Sequence, residues 1–221
     1  MAAERRELEG LLVYVDKLNQ PDWPLDFARL GWLRSRPIAL VANGPGTKLA
    51  GDAVDLVRKH AEVDVLVSTG FCGALRPGLQ VGDVFAATEV VGIAPANVPF
   101  SETGFKTGRL LSLDRVVSTA AEKAQLASQA DAVEMEAAAV AIRARQHSIP
   151  FFAVRVVTDA SQDTFPLDFN RLRSRNGHFS RARILAAALS NPSAIRQLIE
   201  LNKITKRAAQ ALGDFLADAR F

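Results

Sequence analysis

Three carboxylates lie at the ends of two predicted strands, a placement that suits acid–base chemistry. Glu134 and Glu136 stand two residues apart after one apolar segment, and Asp159 ends the next. Because ligands bind outside the carboxyl ends of the strands in open α/β sheets, one crevice should hold all three side chains. The spacing therefore predicts a functional site at this edge of the sheet.

A strand–helix–strand unit is predicted to hold these carboxylates. Residues 137–145 contain strong helix formers without Gly or Pro, Pro150 follows, and residues 151–157 are β-branched or aromatic over a strand's length. The length of the unit favours a right-handed crossover between parallel strands. Elsewhere strands alternate with helices, and residues 4–18 show a helical apolar face. We therefore expect an α/β fold with three layers.

Size and composition are those of one well-packed domain. The chain has 221 residues, of which 48% are hydrophobic, so we expect a single domain over residues 1–221. A net charge of +3 is mild and does not require a nucleic-acid partner. Cys72 is the single cysteine, and neither a secretory leader nor a long apolar run is present. These features favour a cytoplasmic location.

Four segments in order resemble the nucleoside phosphorylase and nucleosidase superfamily. They are Asn43-Gly44-Pro45-Gly46, residues 67–75 with the following 79–84, VEMEAAA at 133–139 and TDAS at 158–161. The members that the chain resembles most are the methylthioadenosine/adenosylhomocysteine nucleosidases, over roughly residues 1–170. The resemblance implies a three-layer phosphorylase-type fold, in which helices flank a central twisted mixed sheet, and a substrate with an N-ribosidic bond.

The resemblance also assigns a role to each carboxylate. Asp159 would be the general acid that delivers a proton to N7 of a purine, and Glu136 would accept hydrogen bonds from the ribose 2′- and 3′-hydroxyls. Met135 would pack under the sugar ring, with Glu134 in a supporting role. Glu4 matches the glutamate that activates water. Each carboxylate also has an ordinary explanation, as a helix cap, a turn residue or a glutamate favoured by the helix dipole.

A glycine loop is expected to pass close under the ligand. It comprises Gly70, Phe71, Cys72 and Gly73, and glycine permits such a close backbone approach. Phosphorylases of the hexameric purine type carry an Arg at the position of Ser68 and a Ser at that of Phe71, both of which help to hold phosphate. Their replacement removes a bidentate anion partner and favours water as the nucleophile. A phosphate site made of backbone amides alone is the alternative.

The purine is expected to meet Val116 and Val117 on one side and Phe169 on the other. An aromatic side chain over a base contributes about 1–3 kcal/mol of stacking. All three residues would serve equally well as ordinary core. The three histidines lack the spacing of metal ligands, and the reaction implied needs neither a metal nor an organic cofactor.

Both ends of the chain depart from the compact nucleosidases. The family begins with a strand that should end near Met1, so either coding sequence for an apolar strand lies upstream, as we expect, or the first strand was lost. A helical C-terminal extension is expected from about residue 176, and its pattern is similar to phosphorylase-like enzymes associated with hopanoid side-chain synthesis, which cleave adenine from an adenosyl lipid. The arginines near its start would form a solvated face, an anionic-substrate rim or a contact with acidic lipids; they are Arg171, Arg173, Arg175, Arg181 and Arg183. A helix that closes the core explains the extension better than membrane contact does.

The sequence thus predicts an enzyme that cleaves the N-ribosidic bond of a purine nucleoside, a 5′-modified adenosine in the first place, by hydrolysis. Two alternatives stay open at this point. One is a phosphate-dependent phosphorylase, including one that acts on an adenosyl lipid, and the other is a nucleoside-binding protein without turnover. Water or phosphate would be the co-substrate, and family members associate as dimers or larger assemblies, so we expect a homo-oligomer.

Overall fold

The residues that the structure describes form two β-sheets. A computed structural model describes residues 1–165, 167–174, 176–189 and 192–221. The smaller sheet is antiparallel and contains β1 (Asp16–Asn19), β2 (Phe27–Leu33) and β3 (Arg36–Ala42). Residues 4–18 form less helix than predicted, namely a 3-10 turn at Arg5–Leu8 and α1 (Glu9–Leu12). The prediction failed because β1 pairs with β2, and this tertiary pairing overrides the local helical pattern.

The larger sheet has six strands in the order β6-β5-β7-β8-β4-β9. Its strands are β4 (Leu66–Ala74), β5 (Val84–Val90), β6 (Ala94–Pro95), β7 (Lys106–Ser112), β8 (Ala132–Glu134) and β9 (Phe151–Asp159). Parallel and antiparallel pairs are mixed, and β5 also pairs with β9, so that the sheet closes on itself. The predicted mixed central sheet is confirmed.

Helices cover the larger sheet on both faces. The helices after α1 are α2 (Thr47–His60), α3 (Ala120–Leu126), α4 (Ala137–Gln146), α5 (Phe169–Leu172), α6 (Arg181–Leu189) and α7 (Pro192–Asp218), of which α4 and α7 pack directly on the strands of this sheet. Along β9, Ala153 and Val157 face a core shared with α2 and α4, whereas Val154 and Val156 face a second core shared with α1 and α7. The side-chain period of two in a strand thus serves two cores, as the predicted three layers require.

The second half of α7 fixes the N-terminal segment. A Cβ atom on Gly10 of α1 would lie 2.1 Å from the carbonyl oxygen of Ala209, and one on Gly213 would lie 2.1 Å from the carbonyl carbon of Gly10. The two helices therefore cross in backbone contact, which only glycine permits. Leu212, Phe215 and Leu216 are buried beside this crossing, as predicted for a helix that closes the core. Within the described ranges, no helix combines the length and apolarity needed to cross a membrane.

The strand–helix–strand unit does not form a parallel crossover. β8 runs antiparallel to β4, while β9 runs parallel to β4 on its other side. The prediction was wrong because β8 pairs in parallel with β7 and only crosses the last residues of β4. Residues 70–73 likewise belong to β4 and are not a loop, since β9 pairs with them as far as Gly73, with one irregularity after Cys72.

Candidate active site

A cavity of about 180 Å³ opens where β4, β8 and β9 end beside the N-terminal segment. Most of the residues predicted from the sequence line it: Glu4, Phe71, Cys72, Gly73, Val116, Val117, Glu134, Met135, Glu136 and Asp159. Gly70 and Phe169 lie outside the lining. Residues that the sequence analysis missed also contribute, among them Arg6, Glu7, Thr158, Phe165 and Phe179.

Gly73 lies between the two strands that carry the carboxylates, so these side chains converge although the predicted parallel crossover is absent. In the register of the sheet it pairs with Val133 of β8 on one side and with Asp159 of β9 on the other. A Cβ atom at this position would lie 2.7 Å from Oδ2 of Asp159. The absence of a side chain therefore leaves room for the carboxylate of Asp159 at the cavity wall.

Asp159 marks one end of the cavity and is almost fully buried. Lys123 of α3 donates from Nζ to Oδ2 of Asp159 at 2.5 Å, and the hydroxyl of Thr158 lies 3.1 Å from Oδ1. Burial raises the pKa of Asp159, although the positive charge of Lys123 opposes the rise. A carboxyl group in this setting retains a proton more readily than a solvated aspartic acid.

The carboxylate of Glu134 makes its hydrogen bonds within the protein, at the wall of the cavity. It accepts hydrogen bonds from Arg155 and Ser112 and from the backbone N–H groups of Glu136 and Ala137, at 2.9 Å and 3.0 Å for the latter two. Burial opposes the ionisation of Glu134, but the charge of Arg155 and these hydrogen bonds lower its pKa overall. The side chain thus caps α4 and pairs with Arg155.

Glu136 faces the cavity, and no cationic side chain in the described part of the chain forms an ion pair with it. Its Oε1 accepts a hydrogen bond of 2.8 Å from the backbone N–H of Gly46. Burial raises the pKa of Glu136 to about 8, and the negative charges of Glu134 and Glu7 add to the effect. Gly46 has φ +106°, and a Cβ atom there would lie 2.2 Å from a guanidinium nitrogen of Arg173, so glycine is needed for this contact.

Glu7 is the carboxylate that the sequence analysis missed. Its Oε2 accepts from the backbone N–H groups of Ala3 and Glu4, both at 2.8 Å, and its Oε1 accepts from that of Phe71 at 3.0 Å. Burial raises the pKa of Glu7 despite these donors. The available signal was the spacing of Glu4 and Glu7, since a glutamate three residues after a helix N-cap turns back to the backbone of the cap.

Glu4 lies at the rim instead. Its carboxylate is 29% exposed and pairs with Nε of Arg6 at 2.8 Å. Gly70 of β4 has φ +141°, and a Cβ atom there would lie 2.7 Å from Oε1 of Glu7. Gly70 thus makes room for Glu7 in the way that Gly73 makes room for Asp159.

The family is decided by a match along most of the chain. Residues 24–104 and 95–190 match the model of the phosphorylase superfamily. The chain belongs to the phosphorylase superfamily. It is accordingly an enzyme of the nucleosidase and nucleoside phosphorylase class, as the motifs predicted.

Solved structures show the same fold. The 5′-methylthioadenosine/S-adenosylhomocysteine nucleosidase of Neisseria meningitidis, in complex with methylthio-immucillin-A, is 22% identical with a TM-score of 0.70, over 98% of this chain and 95% of that one. The S-adenosylhomocysteine nucleosidase of Streptococcus pyogenes is 22% identical with a TM-score of 0.68, over 100% and 95%. Futalosine hydrolase of Helicobacter pylori is 18% identical with a TM-score of 0.67, over 97% and 93%. These likenesses confirm the three-layer fold.

Aromatic side chains form one wall of the cavity in this superfamily member. Phe165 and Phe179 line it, and Phe169 packs edge-on against both, with ring centroids 5.4 Å and 6.2 Å away. Phe169, which was predicted to cover the purine, lies outside the lining and supports these two rings. Val117 is buried in a small core, and Val116 is held through its backbone by the side-chain amide of Asn170.

The positions that hold phosphate in hexameric phosphorylases have other tasks here. Ser68 is buried and accepts a hydrogen bond of 2.7 Å from Arg155, and the ring of Phe71 lies under the guanidinium group of Arg6, 5.9 Å from its centroid. In the described part of the chain, each cationic side chain that lines the cavity has an acidic partner, Glu4 for Arg6 and Glu122 for Arg115. Among the described residues, the cavity therefore offers a ligand no cationic side chain that lacks an acidic partner.

Cys72 is unsuited to nucleophilic catalysis although it lines the cavity. Burial raises the pKa of its thiol far above neutrality, so the thiolate is not populated. Among the residues described, no cluster of three or more His, Cys, Asp or Glu side chains has the arrangement of a metal site.

Proposed function

We propose that the protein cleaves the N-ribosidic bond of a purine nucleoside, and that water is the nucleophile. The observation that carries the proposal is the placement of two buried carboxyl groups with raised pKa values, Glu7 and Asp159, against the same strand. Glu7 meets β4 at Gly70 and Asp159 meets it at Gly73, three residues apart, which corresponds to roughly 10 Å along a strand. This separation leaves room for a sugar and an attacking water between a base and an acid.

The roles follow from the surroundings of each group. Asp159 donates a proton to the departing purine, and Glu136 accepts hydrogen bonds from the ribose hydroxyls with Met135 against the sugar. We assign the activation of water to Glu7, where the sequence indicated Glu4. Glu7 is buried in the cavity, whereas Glu4 is held at the rim by Arg6.

The charged side chains of the cavity support water over phosphate as the nucleophile. Glu7 and Glu136 both border the cavity, and among the described residues no cationic side chain of the lining is free to receive phosphate beside them. In their ionised forms the same carboxyl groups would stabilise a cationic, oxocarbenium-like sugar. The similar solved enzymes act on 5′-methylthioadenosine, S-adenosylhomocysteine or futalosine, which supports a 5′-modified nucleoside, with a 5′-modified adenosine as our first choice.

The assembly belongs to the same proposal. We infer that residues 1–221 form one domain, since α7 completes the core around β9 and the segment that carries Glu7. We further infer a homo-oligomer of two or more copies, and light scattering that finds monomer alone would contradict it.

The test is release of free base with and without phosphate. Wild-type protein and the Asp159→Asn variant are incubated with methylthioadenosine, adenosylhomocysteine, adenosine, inosine and futalosine, and free base is measured by chromatography. We expect release by the wild type in phosphate-free buffer and almost none by the variant. Release that strictly requires phosphate would instead establish a phosphorylase, and tight binding without release would favour a non-catalytic nucleoside-binding protein.

A further inference from the structure

Lys123 is a buried lysine next to the carboxyl group that we assign as the acid. Its side chain is 1% exposed, and Nζ donates to Oδ2 of Asp159 at 2.5 Å and to the carbonyl oxygen of Ala160 at 2.6 Å. Nζ also lies 5.7 Å from the ring centroid of Phe165, a residue of the cavity wall. Burial of an ammonium group is unfavourable unless it is paired, so this placement requires Asp159 as its partner.

The start of α3 is tied to the segment that follows β9, and this holds Lys123 in place. Thr119 caps the helix by accepting from the N–H of Glu122 at 3.2 Å. The N–H of Ala120 donates to the hydroxyl of Thr164 at 3.1 Å, and the N–H of Phe165 donates to the carbonyl of Ser118 at 2.9 Å. Lys123 therefore reaches Asp159 from a helix whose N-terminal end is anchored to the segment after β9.

We propose that Lys123 is a positioning residue of the general acid, which holds Oδ2 of Asp159 and stabilises the carboxylate left when Asp159 gives its proton to the departing base. The inference rests on the proposed function. It divides the work between the two oxygen atoms of Asp159, with Oδ2 held by Lys123 and Oδ1 facing the ligand.

The hydrogen bonds at Oδ1 leave it free for this task. The hydroxyl of Thr158 has one hydrogen atom and two acceptors, Oδ1 of Asp159 at 3.1 Å and the carbonyl oxygen of Cys72 at 3.3 Å. In the reaction the Oδ1–H bond breaks and an N–H bond forms on the base. The electron pair of the broken bond stays on Asp159, beside the ammonium group, while the pair of the C–N bond leaves with the base.

The charge of Lys123 has a measurable consequence for Asp159. The titratable groups around this carboxyl group are Lys123, the carboxylate of Asp163 and the neutral thiol of Cys72. Burial and Asp163 raise the pKa of Asp159, and Lys123 opposes both. Without the lysine the conjugate base would be less stable, so Asp159 would be a weaker acid that keeps its proton to higher pH.

The test is a series of substitutions at position 123 with kcat/KM measured against pH. Arginine keeps the charge and the donors, glutamine keeps a donor without charge, and methionine keeps neither. Arg143→Met serves as the matched control, because it breaks the Arg143–Asp55 pair between α4 and α2 outside the cavity. Circular dichroism and thermal unfolding establish which variants fold.

For Lys123→Met we expect the alkaline limb of the profile, where Asp159 loses its proton, to move upward by about 1–3 pH units. At low pH we expect kcat to fall at least about tenfold, since a weaker acid protonates the base less readily. Lys123→Arg and the control should keep the limb of the wild type, and Lys123→Gln should resemble Lys123→Met. A loss of activity in Lys123→Met and Lys123→Gln with an unmoved limb would overturn the inference, because a merely structural lysine gives that result.

A carbon-13 NMR titration of the Asp159 carboxyl group separates this inference from the proposed function. It requires no turnover. If the wild type cleaves no nucleoside, the proposed function fails, and a carboxyl titration that moves upward in Lys123→Met still establishes that Lys123 controls Asp159. If the wild type is active but the carboxyl titration is the same in both proteins, the proposed function stands and the role of Lys123 is refuted.

Discussion

The two ends of the cavity hold buried carboxyl groups in opposite ways. At one end, Asp159, the proposed acid, has a lysine within hydrogen-bond distance. At the other end, Glu7 and Glu136 are held by backbone N–H groups, and the nearby guanidinium group of Arg155 is paired with Glu134. Backbone donors orient a carboxyl group without cancelling its charge. The contrast is one of charge: the ammonium group favours the ionised form of Asp159, whereas burial among backbone donors leaves the pKa values of Glu7 and Glu136 raised.

Removing the carboxyl group of Asp159, the proposed general acid, tests that end of the cavity most directly. We expect Asp159→Asn to lower kcat toward the upper end of the 10²–10⁴-fold range for a positioned acid, because the amide has no proton to give at neutral pH. Single-turnover release of base is the measurement. Near-normal rates on a nucleoside whose leaving group needs no proton would identify the loss as one of protonation, and equal loss on such a substrate would contradict the assignment.

Removing Glu134, the partner of Arg155, tests whether the buried guanidinium group depends on this ion pair. We expect Glu134→Gln to lower the free energy of unfolding by about 3–5 kcal/mol, since an unpaired guanidinium group would stay buried. Urea denaturation measures the change. The double variant Glu134→Gln with Arg155→Met should recover part of the loss, and no recovery would argue against the ion pair as the cause.

The neutral substitution Glu7→Gln tests the other end of the cavity, where Glu7 and Glu136 lie. We expect kcat to fall toward the lower end of the 10²–10⁴-fold range for a general base, with KM nearly unchanged, because an oxocarbenium-like sugar is readily attacked even by water that is poorly activated. Steady-state kinetics provide the measurement. Glu4→Gln is the matched control at the rim, and a larger loss there than in Glu7→Gln would return the role to Glu4.

The smallest effect is a pH dependence of stability. With its pKa raised from 4.5 to about 8, Glu136 binds its proton more tightly in the folded state, so its contribution to stability is complete below about pH 4.5 and is lost as pH rises towards 8. The Glu136→Gln variant lacks this ionisable group, so its stability does not fall with pH for this reason. Relative to wild type we expect it to gain on the order of 1–3 kcal/mol between pH 5 and pH 9 in urea denaturation. An equal difference between the two proteins at both pH values would show that Glu136 ionises normally.

Residue types and order determined the family and most of the cavity lining. Glu134, Met135, Glu136 and Asp159 were predicted because they end apolar segments at a recognisable spacing, and the structure brings them together. Local periodicity also predicted α4 and β9, since these elements follow from side chains that are near in sequence.

Tertiary structure alone decided which charged groups meet. Asp159 and Lys123 are 36 residues apart, Glu7 and Phe71 are 64 apart, and no local pattern predicts such contacts. Tertiary structure also decided that β8 runs antiparallel to β4, because this pairing depends on which strand edge is free after the other strands have paired. The sequence by itself determined the chemical groups available to this enzyme. The packing of distant segments decided their partners and therefore their charge, because burial and neighbouring charges set the pKa of a carboxyl group.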